Sequence, residues 1–219
     1  MKGKTMKSLN SDQVFYAFTP QLAPLLIVDQ KEQFSLETRD CYGNQLHSDD
    51  DTMDGMDWSA TNPATGPVYI MGVQPGDLLR IDIDKLELTG NSVMATIPGC
   101  GAIKGITEPE TRVMDNSDRI LKVKTEKGIL GIPVKPMIGV IGVAPKEESI
   151  SNGVPGMHGG NMDCNLIGEG TALYLHAAVD GALFGCGDIH AIMGDGEVVV
   201  CGAETPARVT FRASVVNAN

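Results

Sequence analysis

Aromatic side chains are scarce in this sequence: five phenylalanines, four tyrosines and one tryptophan make 5% of 219 residues. Such a chain has few bulky anchors for a large ligand. Basic residues are short as well, with 17 lysines and arginines against 28 aspartates and glutamates and a net charge of −11. No clustered basic face marks a binder of nucleic acid or of anionic membrane. The five cysteines, at 41, 100, 164, 186 and 201, are odd in number and none has C-x-x-C spacing, which speaks against a zinc ribbon and a disulfide framework. A reducing, cytoplasmic setting is expected. The longest apolar tracts, 128–144 and 172–193, are broken by Pro133, Lys135 and Pro136 and by His176, Asp180 and Asp188, so neither suits a membrane span of ~20 residues. Where an export signal needs an apolar stretch, the sequence has Ser8-Leu9-Asn10-Ser11-Asp12. It also lacks G-x-S-x-G, a P-loop and a strand-linked G-x-G-x-x-G, which removes support for serine hydrolases, nucleotide hydrolases and dinucleotide enzymes.

What is present is alternation and turns. Leu79, Ile81 and Ile83, followed by Leu86 and Leu88, alternate with Arg80, Asp82 and Asp84, and Val209, Phe211, Ala213 and Val215 alternate with Arg208, Thr210, Arg212 and Ser214. Both patterns predict strands with one buried face. Shorter β-rich runs at 14–18, 34–38, 68–73, 120–125, 137–143, 172–179 and 197–201 are separated by turns, and extended amphipathic helical stretches are hard to find. The expected fold is mainly β, a sandwich of sheets packed face to face with few helices, in one domain over 1–219. Two segments interrupt the rhythm as long loops: an acidic one, 44–66, carrying His47, Asp49, Asp50, Asp51, Asp54 and Asp57, and a glycine-rich one, 145–170.

Chemistry concentrates in three places. Asp188 and His190 lie two apart, so in an extended segment they share a face and can point at one cation; the same cluster continues to Asp195, Gly196 and Glu197, and reads equally as a turn satisfying its own backbone. The run Pro155-Gly156-Met157-His158-Gly159-Gly160-Asn161-Met162-Asp163 joins glycines that admit close approach of a ligand to the polar ends of His158, Asn161 and Asp163. Glu37 and Asp40 follow an apolar strand. His176 reads as a core histidine. Cys100, between glycines and near Lys104, reads as a buried inert thiol, with a nucleophile as the sharper alternative.

Asp57-Trp58, Asn62-Pro63-Ala64-Thr65-Gly66-Pro67-Val68-Tyr69-Ile70 and Pro75-Gly76-Asp77, together with the His158 run and Gly187-Asp188-Ile189-His190-Ala191 through Gly194-Asp195-Gly196-Glu197, resemble the acetamidase/formamidase family. Glu37-Thr38-Arg39-Asp40-Cys41-Tyr42-Gly43-Asn44-Gln45 is also similar to that family's early strand and turn. The resemblance implies a β-rich sandwich and hydrolysis of short aliphatic amides (formamide, acetamide) to acid and ammonia. It also implies a divalent metal, zinc with calcium sometimes present, and a dimer or higher assembly. Two departures stand out: Met193 replaces a more usual glutamine, and the family's usual C-terminal portion is expected to be lacking. An amide needs a polarised carbonyl, an activated water and a proton for the leaving nitrogen. The resulting expectations are His158, Asp163, Asp188 and His190 as metal ligands, Glu37, Asp195 and Glu197 as candidates for the acid/base carboxylate, and Asn161 with the Gly159 and Gly160 amides for the oxyanion. The alternatives are a non-catalytic metal-binding β module, with calcium on Asp49, Asp51 and Asp54, and a cysteine amidase built on Cys100, Glu37 and Lys104. A sheet lacking a covering element leaves a reactive edge, so either subunit pairing or an exposed apolar edge is expected near 209–216.

Overall fold

The computed structural model describes residues 5–103, 105–106 and 108–216. Strands dominate, and among the described residues the helical pieces are two 3-10 turns, Met53–Gly55 and Trp58–Ala60. None of these is long and apolar enough to cross a membrane.

Two sheets carry the structure. The first runs in the order Lys7–Leu9, Phe34–Thr38, Ala207–Val215, Leu78–Leu88, Ala172–His176. The second runs Gly159–Asn161, Met137–Gly142, Phe184–His190, Ala64–Ile70, Val14–Phe15, with Leu26–Val28 added parallel to Ala64–Ile70. Alternation builds the first sheet: Leu79, Ile81, Ile83, Val209, Phe211 and Ala213 turn inward, while Arg80, Lys85, Arg208 and Arg212 face water. Arg212 there pairs with Asp84 at 2.6 Å. The second sheet reads differently because Met137–Gly142 and Phe184–His190 are buried at every residue. Its inner face meets the first sheet, and its far face is covered by Phe15 and Phe18, packed with Ala64 and Val140. Between the sheets Phe184 stands edge-on to Phe211 at 5.1 Å and to Phe34 at 6.1 Å. This is the sandwich expected from the sequence, with side chains from two inner faces filling one core.

Four expectations change. Residues 197–201 form turns, not a strand: Val198 and Val200 are exposed, and the Val200 N–H closes back on the Glu197 carbonyl. The glycine-rich segment 145–170 includes two short strands, Ile150–Ser151 and Gly159–Asn161, the second extending the edge of the second sheet. His176 and Cys100 are exposed rather than buried. Ala207–Val215 is no edge, because it pairs with Phe34–Thr38 on one side and Leu78–Leu88 on the other. Ala207–Val215 therefore offers no open edge for assembly, and the expectation of an oligomer rests on the family resemblance alone.

Because Phe211 is fully buried where the sheets meet, Phe211→Ala is expected to destabilise the protein by about 3–5 kcal/mol through lost burial and a cavity. Ile129→Ala, on the exposed Gly128–Pro133 strand where Ile129 is 72% accessible, is expected to change stability by less than about 0.5 kcal/mol. Urea unfolding midpoints for the two variants check the contrast.

Candidate functional site

Several elements end at one place. Phe184–His190 supplies Asp188 and His190, and the stretch leading into Ala207–Val215 supplies Glu204, which is held by backbone bridges to Val93 and His190. Asp163 follows the edge strand Gly159–Asn161, anchored by the Met162 N–H on the Gly139 carbonyl. Asp40 and Cys41 follow Phe34–Thr38, and Glu197 comes from the turns after Gly194.

At the centre is the His190 ring, with no solvent exposure. Its Nε2 lies 3.2 Å from Asp188 Oδ1, 3.1 Å from Glu204 Oε2 and 3.9 Å from Glu197 Oε1. One imidazole N–H cannot satisfy all three carboxylates. Glu204 Oε2, Asp163 Oδ1 and His190 Nδ1 are left without a well-aligned hydrogen-bond partner. Donor atoms of Asp163, His190 and Glu197 fall within 4.8 Å of one another.

Two glycines permit this crowding. A Cβ on Gly139 would collide with Asp188 Oδ2 and stand 2.6 Å from Asp163 Oδ1, and one on Gly202 would stand 2.6 Å from His190 Nδ1. The carboxylate residues carry strain of their own. Asp163, Asp188 and Glu197 have φ of 41°, 55° and 39°, a left-handed conformation costing on the order of 1–2 kcal/mol for each L-residue. Such strain persists where packing over-determines the backbone, which is common at sites that must aim a side chain.

Burial sets the protonation. It raises Asp40 and Asp163 to about 6, the latter with help from the Asp188 charge. Glu197 is pushed up to about 7 by burial and then by Asp163. Burial also raises Glu204. For His190 burial works downward, but the Glu204 and Asp188 charges outweigh it and hold the ring well above its ordinary value. Asp188, in contact with that ring, is lowered despite its burial. Cys41 is raised by burial and by Glu204 and Asp188.

The structure brings together Asp163, Asp188, His190 and Glu197. It does not bring His158 to them. His158 is 4% accessible, stacks edge-on against Phe18 and lines a separate cavity of about 400 Å³ with Ala144, Ile150 and His176. Glu37 pairs outward with Arg208 across the first sheet. Asp195 is exposed and accepts from Asn165 at 2.6 Å. The Gly159 amide is taken by the Gly156 carbonyl, and Gly160 lies against Val154 and the His158 ring, so this pair shapes a hairpin. Asn161 keeps a buried, partnerless Oδ1. Asp49 and Asp51 accept backbone N–H groups of Val113 and of His47 and Ser48 and form no shared cation site. Lys104 lies outside the described residues, Glu37 is paired with Arg208, and among the described residues Cys100 joins no group of metal-ligating side chains. Sequence reasoning missed Glu204, Cys41, Gly139 and Gly202. Glu204 carried one signal, a lone acid within Cys201-Gly202-Ala203-Glu204-Thr205-Pro206 just before a strand.

A β-sandwich with carboxylate and imidazole groups buried together at one end is the class of protein that the fold and site define, and groups of these types are the ones divalent cations take as ligands. Within that class the chain belongs to the acetamidase/formamidase family, which it matches over residues 4–153 and 149–219. It shares 44% identity and a TM-score of 0.92 with the crystal structure of a recombinant predicted acetamidase/formamidase from Thermoanaerobacter tengcongensis, covering 98% of this chain and 71% of that one. The acetamidase from Bacillus halodurans gives 36% identity and a TM-score of 0.92, covering 97% of this chain and 71% of that one. A formamidase from Methylophilus methylotrophus is 23% identical, over 87% of this chain and 61% of its own length. The chain thus spans about three fifths of the length of that curated relative.

A carboxyl whose folded pKa is raised binds its proton more tightly than the unfolded chain does. Its stability contribution is complete below the unfolded value and is lost as pH rises through the folded one. For Asp40 and Asp163 that window runs from 3.8 to about 6, and for Glu197 from 4.5 to about 7. His190, also raised, acts in the same direction at higher pH. Metal-free protein is therefore expected to melt at lower temperature at pH 8 than at pH 5.5, and scanning calorimetry across that range checks the sign.

Proposed function

We propose that the protein hydrolyses short aliphatic amides, formamide and acetamide among them, to the carboxylate and ammonia, using a divalent cation at the His190 centre. The supporting observation is the buried donor set itself: Asp163, His190 and Glu197 within 4.8 Å, with Asp188 and Glu204 beside the ring and acceptor atoms left over. Imidazole with carboxylates suits zinc, and the excess of oxygen suits calcium as the alternative. The names of the relatives, an acetamidase and a formamidase, support the amide-hydrolysis part of this reading.

When bound, the cation would supply Lewis acidity for the amide carbonyl and for water. The residues do the rest. Asp163, Asp188 and His190 would hold it, with the ring fixed by its neighbours. Glu197 is the more open carboxylate, 19% of its side chain accessible against 5% for Asp188 and 2% for Glu204. It is the group we assign to take a proton from water and pass it to the departing nitrogen, a role that calls for a pKa near neutrality. The partnerless Asn161 Oδ1 is available to accept a substrate N–H.

His190→Ala is expected to lose bound metal and to lower ammonia release at least tenfold, since even outer ligands to a metal are worth about 10–100-fold. Cys100→Ser is expected to stay within twofold of the parent, and chelation to abolish turnover in both. Metal analysis beside an ammonia assay on formamide and acetamide is the check. Full metal content in His190→Ala overturns the ligand assignment. Bound metal without turnover of either amide moves the reading to a non-catalytic metal-binding module, and an acyl adduct trapped on Cys100 overturns the metal mechanism.

A further inference from the structure

The centre contains a second group of donors. Atoms of Cys41, Asp188 and Glu204 lie within 4.8 Å of one another, separately from the Asp163, His190 and Glu197 group. Asp188 faces both. Its Oδ1 is turned to the His190 ring at 3.2 Å, whereas its Oδ2 lies over Gly139, where Asp163 Oδ1 also converges. Asp188 thus contacts the first group through both of its oxygens while belonging to the second, which makes it the residue common to the two. Glu204 has the complementary defect. It is 2% accessible, its Oε1 accepts the Gly202 N–H, and its Oε2, 3.1 Å from His190 Nε2, is left without a well-aligned hydrogen bond.

We propose that Cys41, Asp188 and Glu204 form a second cation position adjoining the one at Asp163, Asp188 and His190, with Asp188 common to both and the Cys41 thiolate selecting a zinc-class ion there. This rests on the reading of the His190 centre as a metal site and adds a second ion and a sulfur ligand to it. On binding, the Cys41 S–H bond breaks, its proton leaves to solvent and the sulfur lone pair forms the bond to the cation. No electron transfer is involved. Sulfur disfavours calcium and magnesium, which prefer oxygen, so the inner position should ignore both. Cys201 is the nearby thiol that does not qualify, since it is tied to the Tyr42 hydroxyl at 3.0 Å and receives the Ala95 N–H.

Cobalt(II) is the probe, because thiolate ligation gives a near-ultraviolet charge-transfer band that oxygen and nitrogen ligands do not. Metal-free full-length chain is expected to bind two cobalt ions with that band present. Cys41→Ser should bind one without the band, its second affinity falling at least tenfold, and Cys100→Ser should match the parent. As a measurement independent of any variant's folding, zinc should protect Cys41 of the wild-type chain from iodoacetamide in peptide mass analysis, magnesium should not, and Cys100 should react throughout. A single cobalt without the band, a band that vanishes in Cys201→Ser but survives in Cys41→Ser, or alkylation of Cys41 unaffected by zinc overturns the proposal. The readouts do not depend on amide turnover. Two cobalt ions with the band but no ammonia release sustain the second position and sink the amidase reading, whereas turnover with one cobalt and no band does the reverse.

Discussion

Everything at the working end of this molecule follows from placing several carboxylates around one buried imidazole. Such an arrangement is unfavourable on its own terms, because each buried acid loses hydration and repels the next. The fold tolerates it by rigidity. Phe184–His190 is covered on both faces, Glu204 is clamped between two backbone bridges, and Gly139 and Gly202 let the groups approach at distances any other residue would forbid. Burial first, and neighbouring charge second, raises Asp163 and Glu197, whereas the closeness of Glu204 and Asp188 is what raises His190 against its own burial.

The sandwich explains why these particular residues meet. The first sheet has one wet face, so its Glu37 is spent on an ion pair with Arg208. Just after that strand, Cys41 comes within reach of Asp188 and Glu204, and Asp40 feels the Asp188 charge. His158 belongs to the same glycine-rich run as Asp163 but sits beyond the two-glycine hairpin, where Phe18 and an apolar cavity receive it. Five residues of edge strand and turn are enough to send two polar side chains to different environments.

Much of the fold was legible in the sequence because half-buried strands alternate. The 34–38 and 120–125 runs match strand boundaries in full, and Leu78–Leu88 and Ala207–Val215 extend the patterns around Ile81 and Phe211 by a residue or two. Strands covered on both faces hide their period, which is why Phe184–His190 read as an acid and histidine cluster with two possible conformations. The site was legible where polar residues stood out against glycine, as with Asp163, Asp188, His190 and Glu197. It was not where a residue reaches the centre from distant sequence, as Cys41 and Glu204 do. Asp188 also departs from the extended geometry assumed for it, since its left-handed backbone, not simple alternation, sets its contact with His190.

The order of strands in the first sheet has a consequence for how the chain is made. Ala207–Val215 lies between Phe34–Thr38 and Leu78–Leu88 and bonds to both, so those earlier strands have no direct partnership with each other. While a ribosome is still synthesising residues before 207, two apolar strands wait with open edges for a partner more than a hundred residues away. Closure of that sheet, and with it the positioning of Glu204 just upstream, is a late event dominated by long-range contacts, the kind that folds slowly and exposes the nascent chain to mispairing.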